Sequence, residues 1–120
     1  MDFTDSAKAG TAAMLAASDS IAAGSLENCL VCASDCHVSK VGSNSDYTYG
    51  DGAAAFLLGK DNVIAKLEGA FSTSHDFVDK RRLEGERLEH VWEDRFIREE
   101  GYVKFIPEAV AGLVEKYNLN

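Results

Sequence analysis

The sequence predicts an α/β fold in which a buried, Ala-rich helix packs against a mixed sheet with outer helices. Three observations carry that expectation. The segment from about Asp5 to Ala23 is Ala-rich and has little polar surface. Two short apolar runs, Leu30–Ser34 and Ala53–Leu58, have strand length and are bounded by glycine and polar clusters. Beyond His75 charges dominate, and the chain closes on an apolar stripe at helical spacing.

Each element has its own local reasons. Thr4, Asp5 and Ser6 can each cap the N-terminus of the first helix, and Gly24 is placed as its C′ residue. Gly10 inside that helix costs about 1 kcal/mol relative to Ala, so close approach of another backbone is expected there. Leu30–Ser34 reads as a buried strand, and 35–46 as a polar loop. Gly50-Asp51-Gly52 reads as a tight turn into the strand Ala53–Leu58. Gly59 to Asn62 then resembles a hairpin connection to a third, alternating strand over Val63–Phe71. Leu88, Val91, Trp92 and Phe96 fall on one face of a helix that Gly101 ends, with Asp94 and Arg98 as an i,i+4 pair. Ile106, Val110, Leu113, Val114 and Tyr117 form the stripe of a last helix, with Pro107 in its first turn.

Composition limits the functions. The 120 residues are 46% hydrophobic and 27% charged, which fits one globular domain or less. Twenty acidic and 12 basic residues give a net charge of −8. That disfavours duplex nucleic acid and anionic membrane surfaces as partners, because both require cations. No apolar run has the length of a transmembrane helix, and no secretory signal is visible. Three cysteines, an odd number without an export signal, read as reduced thiols of a cytoplasmic protein. The chain enters a helix almost at once and stops just after another, which reads as a piece of something longer.

Several clusters bear on chemistry. Cys29, Cys32, Cys36 and His37 have a metal-like spacing, but 29 and 32 are an odd number apart on a strand and point to opposite faces. Small buried residues are the better reading. Gly50-x-Gly52 precedes a strand rather than opening a helix, so it is not a dinucleotide fingerprint. His90, beside Glu86 and Glu89 on the expected helix, reads as a solvated surface residue. His75 follows Ser72-Thr73-Ser74 in a loop where substrate contact is more credible. The run from Asp79 to Glu100 carries both signs and reads as a solvated face, with a lid or partner surface as the alternative. The N-terminus of the Ala-rich helix would favour an anion or activate a nucleophile, yet it offers Asp5, Ser6 and Ala7 and no cysteine.

Asp2-Phe3-Thr4-Asp5-Ser6-Ala7-Lys8-Ala9-Gly10-Thr11 resembles the nucleophile segment of the thiolase superfamily. The nearest branch is the hydroxymethylglutaryl-CoA synthase-like proteins, related to the third type of ketoacyl carrier-protein synthase, where the segment reads approximately D-F-T-N-A-C-K-A-G-T. Leu30-Val31-Cys32-Ala33-Ser34-Asp35 and Tyr47-Thr48-Tyr49-Gly50-Asp51-Gly52-Ala53 resemble two further family motifs, and Ile64–Ser74 and the final helix also fit. The resemblance covers nearly the whole chain.

The family's full chain is much longer and holds two similar βαβαβαββ halves. By the resemblance, 1–71 is the end of the N-terminal half plus the first strand of the next. Residues 72–120 are then a charged helical insertion and the start of the C-terminal half. The resemblance implies an acyltransferase chemistry: a cysteine takes the acyl group from acyl-CoA, backbone N–H groups hold the oxyanion, and a second acyl-CoA is condensed onto it. The family's cysteine aligns with Ala7, whose methyl group cannot attack a thioester. Ser6 lies one position early, about 100° around a helix. The catalytic histidine of the family belongs to the C-terminal half, and His37, His75 and His90 do not match it. The expected protein is therefore a fragment or nucleophile-lacking subunit of such a synthase. The alternative is a non-catalytic interaction subunit that pairs with an active thiolase-like partner. No tightly bound cofactor or metal is expected, and acyl-CoA is the substrate of intact relatives. The resemblance places the strand Ala53–Leu58 near a dimer interface, so a homo- or hetero-oligomer is expected.

Overall fold

The computed structural model describes residues 1–4 and 8–119. Helices and small antiparallel sheets are mixed, as an α/β sequence requires. The chain forms two compact units, Met1–His37 with Thr48–Lys66 and Val38–Tyr47 with Leu67–Asn120.

In the first unit α1 (Ala9–Ala22) packs on a two-stranded sheet of β1 (Cys29–Asp35) and β2 (Gly52–Leu58). The strands pair antiparallel, Cys29 opposite Leu58 and Asp35 opposite Gly52. Val31, Ala33, Ala54 and Phe56 therefore share one face, and Leu30, Cys32, Ala55 and Leu57 share the other. A Cβ added to Gly10 would stand 3.2 Å from the Ala33 Cβ, so the first face lies against the helix and Gly10 is where the two elements approach most closely. Ala17, Ile21 and Val31 are buried between them. The helix ends as its sequence demands. Gly24 adopts φ +78°, its N–H donates to Ile21 O at 3.1 Å, and the Ser25 N–H donates to Ser20 O at 2.9 Å. This is the paired C-terminal closure that a left-handed glycine permits.

Four expectations for this unit are corrected. The helix starts at Ala9, preceded by Lys8 with no side-chain cap; of the three expected caps, Asp5 and Ser6 lie outside the described residues. The strand Leu30–Ser34 exists but only Val31 is buried; Leu30 is 62% exposed and Leu57 opposite it is 74% exposed. Gly50-Asp51-Gly52 makes no tight turn: neither glycine has positive φ and the segment runs directly into β2. Val63–Phe71 forms no strand. Alternation alone does not make a strand; it needs a neighbour to take its N–H and C=O groups, and β2 pairs with β1 instead.

In the second unit α2 (Asn44–Thr48, whose last residue belongs to the first unit) lies in the segment expected to be a polar loop. The charged stretch opens with a miniature hairpin, β3 (Lys80–Arg81) and β4 (His90–Val91), with Gly85 at φ +83° between them. Leu88, Val91 and Trp92 are therefore not helical, contrary to their spacing, because the hairpin claims this stretch. One helical run then spans α3 (Asp94–Phe96), a π-helical segment (Ile97–Tyr102) and α4 (Val103–Tyr117). Gly101 does not end the helix but lies buried inside the π segment, and Pro107 sits inside α4 rather than in a first turn. Proline has no N–H for the carbonyl four residues back and its ring crowds that carbonyl; here that residue is Val103, where the wide turn gives way to α4. The Val103 N–H itself reaches back five residues to Arg98 O. Asp94 does not pair with Arg98 in the expected way; it accepts a hydrogen bond from Asn44 Nδ2 at 3.1 Å. The i,i+4 pairs of this run are Arg95–Glu99 at 3.1 Å and Lys104–Glu100. No described helix is long and apolar enough to cross a membrane.

Candidate functional site

The position that the sequence singles out, Ala7, lies outside the described residues, as do Asp5 and Ser6. What the structure describes is the element that follows it. Helix α1 starts at Ala9, and the Thr11 hydroxyl donates to Lys8 O at 2.9 Å across its first turn. The helix is Ala-rich with Met14, Leu15 and Ile21 as its large side chains, and only Ala17 and Ile21 are buried.

The ends of β1 and β2 meet beside one another. Past β1, the His37 N–H donates to Asp51 Oδ1 at 3.1 Å and the His37 ring lies 4.9 Å from the Tyr49 ring. Asp51 thus ties the exit of β1 to the entry of β2. A shallow hollow on the sheet is lined by Cys32, Ala33, Ser34 and Ala53 to Ala55. The three thiols are unbridged, Cys29 half-buried and Cys32 and Cys36 exposed. Cys29 and Cys32 lie on opposite faces of β1, and no group of three His, Cys, Asp or Glu among the described residues is placed to hold a metal ion.

The second unit brings together groups that sequence spacing did not connect. The segment around Ala70 to Phe77 runs along the helical run in reverse order. The Tyr117 hydroxyl accepts from the Ala70 N–H at 3.0 Å and lies 3.1 Å from Ala70 O, and Lys116 Nζ donates to the same carbonyl at 2.9 Å. The Phe71 ring occupies the space that a Cβ at Gly112 would take. His75 stacks on Phe105 with centroids 3.9 Å apart, and its Nε2 lies 3.3 Å from Glu108 Oε2. Phe77 meets Phe105 edge-on at 5.4 Å and fills the space beside Gly101. Asp79 accepts from the Tyr102 hydroxyl at 3.1 Å. The backbone hydrogen bond from Ala70, then the one from Lys116, holds the Tyr117 phenol below its usual value of 10.0.

His75, expected in a loop open to substrate, is therefore engaged with a ring and a carboxylate of α4. His90 lies on β4 rather than on a helix, with its Nε2 3.1 Å from Glu86 Oε2 across the hairpin. The sequence reasoning missed Asp51, Glu108 and Tyr117 as anchors. Their partners lie 14, 33 and 47 residues away, and no local pattern announces them. Glycines 69, 101 and 112, seats for the rings of Tyr117, Phe77 and Phe71, were the available signal.

Residues 1–75 match the family model for 3-oxoacyl-[acyl-carrier-protein (ACP)] synthase III. Among curated proteins, the chain is 32% identical over 119 residues to a hydroxymethylglutaryl-CoA synthase of Methanopyrus kandleri, covering 99% of this chain and 34% of that protein. It is 32% identical over 117 residues to the enzyme of that name from Pyrobaculum arsenaticum, and 32% over 115 residues to the one from Methanocaldococcus jannaschii. These cover 98% and 96% of this chain and 33% of each relative. The chain spans about a third of the length of the curated relatives it matches.

Proposed function

This chain belongs to the 3-oxoacyl-[acyl-carrier-protein (ACP)] synthase III family, and on that premise we propose that it is a fragment or nucleophile-lacking subunit of a hydroxymethylglutaryl-CoA synthase-like acyltransferase. The similarity to synthases of that name along 99% of the chain carries the reading. Ala7 stands where the resemblance sets the acyl-accepting cysteine, and an alanine methyl has no electron pair to open a thioester. None of His37, His75 and His90 matches the family's catalytic histidine; His75 lies against Phe105 and Glu108 of α4, and His90 lies beside Glu86. Acyl-CoA is the substrate of the intact enzyme, and this chain contributes scaffold rather than a reacting group.

The second reading is a non-catalytic interaction subunit that pairs with an active thiolase-like partner. The exposure of Leu30, Phe56 and Leu57 on the sheet of the first unit favours it, since large apolar side chains on paired strands ordinarily meet another layer.

A steady-state assay of CoA release from acetyl-CoA tests the proposal. The chain is expected to release none above buffer background. The Ala7→Cys variant alone is expected not to restore condensation, because none of this chain's histidines matches the family's base. Turnover by the unaltered chain that survives thiol modification and is lost in Ser6→Ala would overturn it, as would steady-state condensation by Ala7→Cys.

A further inference from the structure

The β3–β4 hairpin gathers arginines that the rest of the chain leaves unpaired. The Glu86 N–H donates to Leu83 O at 3.0 Å and closes the turn, so Arg82 and Arg87 flank it. Arg81 follows on β3, opposite His90. All three arginines are exposed, and none has an ion-pair partner among the described residues. That is unexpected in a chain with 20 acidic and 12 basic residues. The hairpin's carboxylates are used elsewhere. Asp79 accepts from the Lys80 N–H at 2.7 Å and from the Tyr102 hydroxyl at 3.1 Å. Glu86 accepts from the Leu83 N–H at 3.3 Å and lies 3.1 Å from His90 Nε2. Glu89 is half-buried, and Glu84 is exposed in the turn.

A flat ring stands on the same face. The Trp92 N–H donates to Asp79 O at 3.1 Å, which carries the ladder one pair beyond Lys80–Val91. Facing residues share a side, and so do residues two apart on one strand. Asp79, Arg81, His90 and Trp92 therefore belong to one face of the hairpin. The Trp92 ring leans on Phe96 with centroids 5.4 Å apart, yet the residue stays 57% exposed. Arg81 and Trp92 are diagonal neighbours, a separation of about 7 Å. Stacked carbon atoms meet at about 3.5 Å. A planar ring entering between the guanidinium and the indole therefore touches both. Beyond it, Arg82 and Arg87 supply two more guanidinium forks, whose planar donors match phosphate oxygens two at a time.

We propose that this face of the β3–β4 hairpin binds a nucleoside diphosphate, with the base stacked on Trp92 beside Arg81 and the phosphates held by Arg82 and Arg87. Phosphate alone would use the arginines and leave Trp92 idle, and an acidic peptide has no flat ring for the gap. A free nucleotide and the nucleotide end of CoA carry the same chemistry, and the test separates them. The site uses neither Ala7 nor the sheet of the first unit, so its failure would leave the acyltransferase reading untouched.

Trp92 is the chain's single tryptophan, so its emission reports the stack directly. Titration of the full chain with ADP, without divalent metal, is expected to quench that emission saturably. Adenosine and pyrophosphate are each expected to bind at least tenfold more weakly. Calorimetry with ADP reads the variants. Trp92→Ala is expected to weaken binding about tenfold, and Trp92→Phe, which keeps a flat ring, to weaken it less. The exposed pair Arg82→Gln with Arg87→Gln should reduce ADP to the affinity of adenosine. Lys8→Gln with Lys60→Gln, the same charge change in the first unit, should leave it as it was. CoA binding as tightly as ADP or more so would assign the site to the cofactor's nucleotide end, and ADP binding alone would assign it to a free nucleotide. Emission unaltered by ADP would overturn the proposal. So would pyrophosphate binding as tightly as ADP, or ADP affinity that survives loss of both arginines.

Discussion

In the first unit an Ala-rich helix rests on two strands, and among the described residues burial is confined to Ala17, Ile21 and Val31. In the second unit a helical run is clasped from 30 to 47 residues away by stacked rings, a carboxylate–histidine pair and a tyrosine hydroxyl. The first unit carries the family's motifs yet leaves Leu30, Phe56 and Leu57 exposed. The motifs specify strands and a helix that are apolar on more sides than their neighbours here cover. The second unit has a more charged sequence, yet its contacts are more specific, because three glycines give aromatic rings a seat. Apolar content and realised packing are separate quantities, and this chain separates them.

The largest effect is expected where the smallest core is cut. Ile21→Ala removes most of a side chain that is 6% exposed between α1 and β1, at a cost of about 3 kcal/mol. Amide hydrogen exchange along β1 and β2 should then collapse, while protection of α4, set by contacts inside the second unit, persists. Parallel loss of α4 protection would break the comparison.

A pH titration sharpens the other side. Ala70 and then Lys116 favour the phenolate of Tyr117 in the folded chain. The extra hold on the Ala70 segment is therefore fully present above the ordinary phenol value of 10.0 and is lost as pH falls through the lowered one. The Tyr117 phenolate should appear below the ordinary phenol value of 10.0. That early step should vanish in Tyr117→Phe and move back toward 10.0 in Lys116→Met. Tyr117 titrating at or above 10.0 would remove the anchor from the account.

The smallest effect belongs to the half-exposed pair His75–Glu108, with side chains 29 and 53% exposed. Glu108→Ala should lower the denaturation midpoint by the equivalent of about 0.5 kcal/mol or less. The His75–Phe105 stack should hold the segment in place, so Phe105→Ala should cost more than Glu108→Ala.

Much of the first unit was legible because its signals are local. Gly24 closes α1 and Gly10 meets β1 as their positions in the sequence imply. Both strands lie where the apolar runs are. Burial was not legible, since it depends on which layers are present. The alternation of Val63–Phe71 describes a strand only if a partner edge exists, and none pairs with it among the described residues. In the second unit a helical spacing over Leu88–Phe96 was outcompeted by the β3–β4 hairpin with Gly85 at its turn, and Gly101 was absorbed by a π turn rather than acting as a stop. Of the candidate site, the family motifs, and an alanine at position 7 where the resemblance expects a cysteine, were readable from residues alone. The clasp on α4 was not, because it joins residues that share no local pattern.

The most direct measurement is intact mass and peptide mapping of the chain after incubation with acetyl-CoA. The account predicts no acetyl increment on the segment from Met1 to Thr11, since Ala7 offers no nucleophile. A stoichiometric acetyl group on that segment, at Ser6 or any other residue, would contradict it and return the chain to the acyl-transferring enzymes.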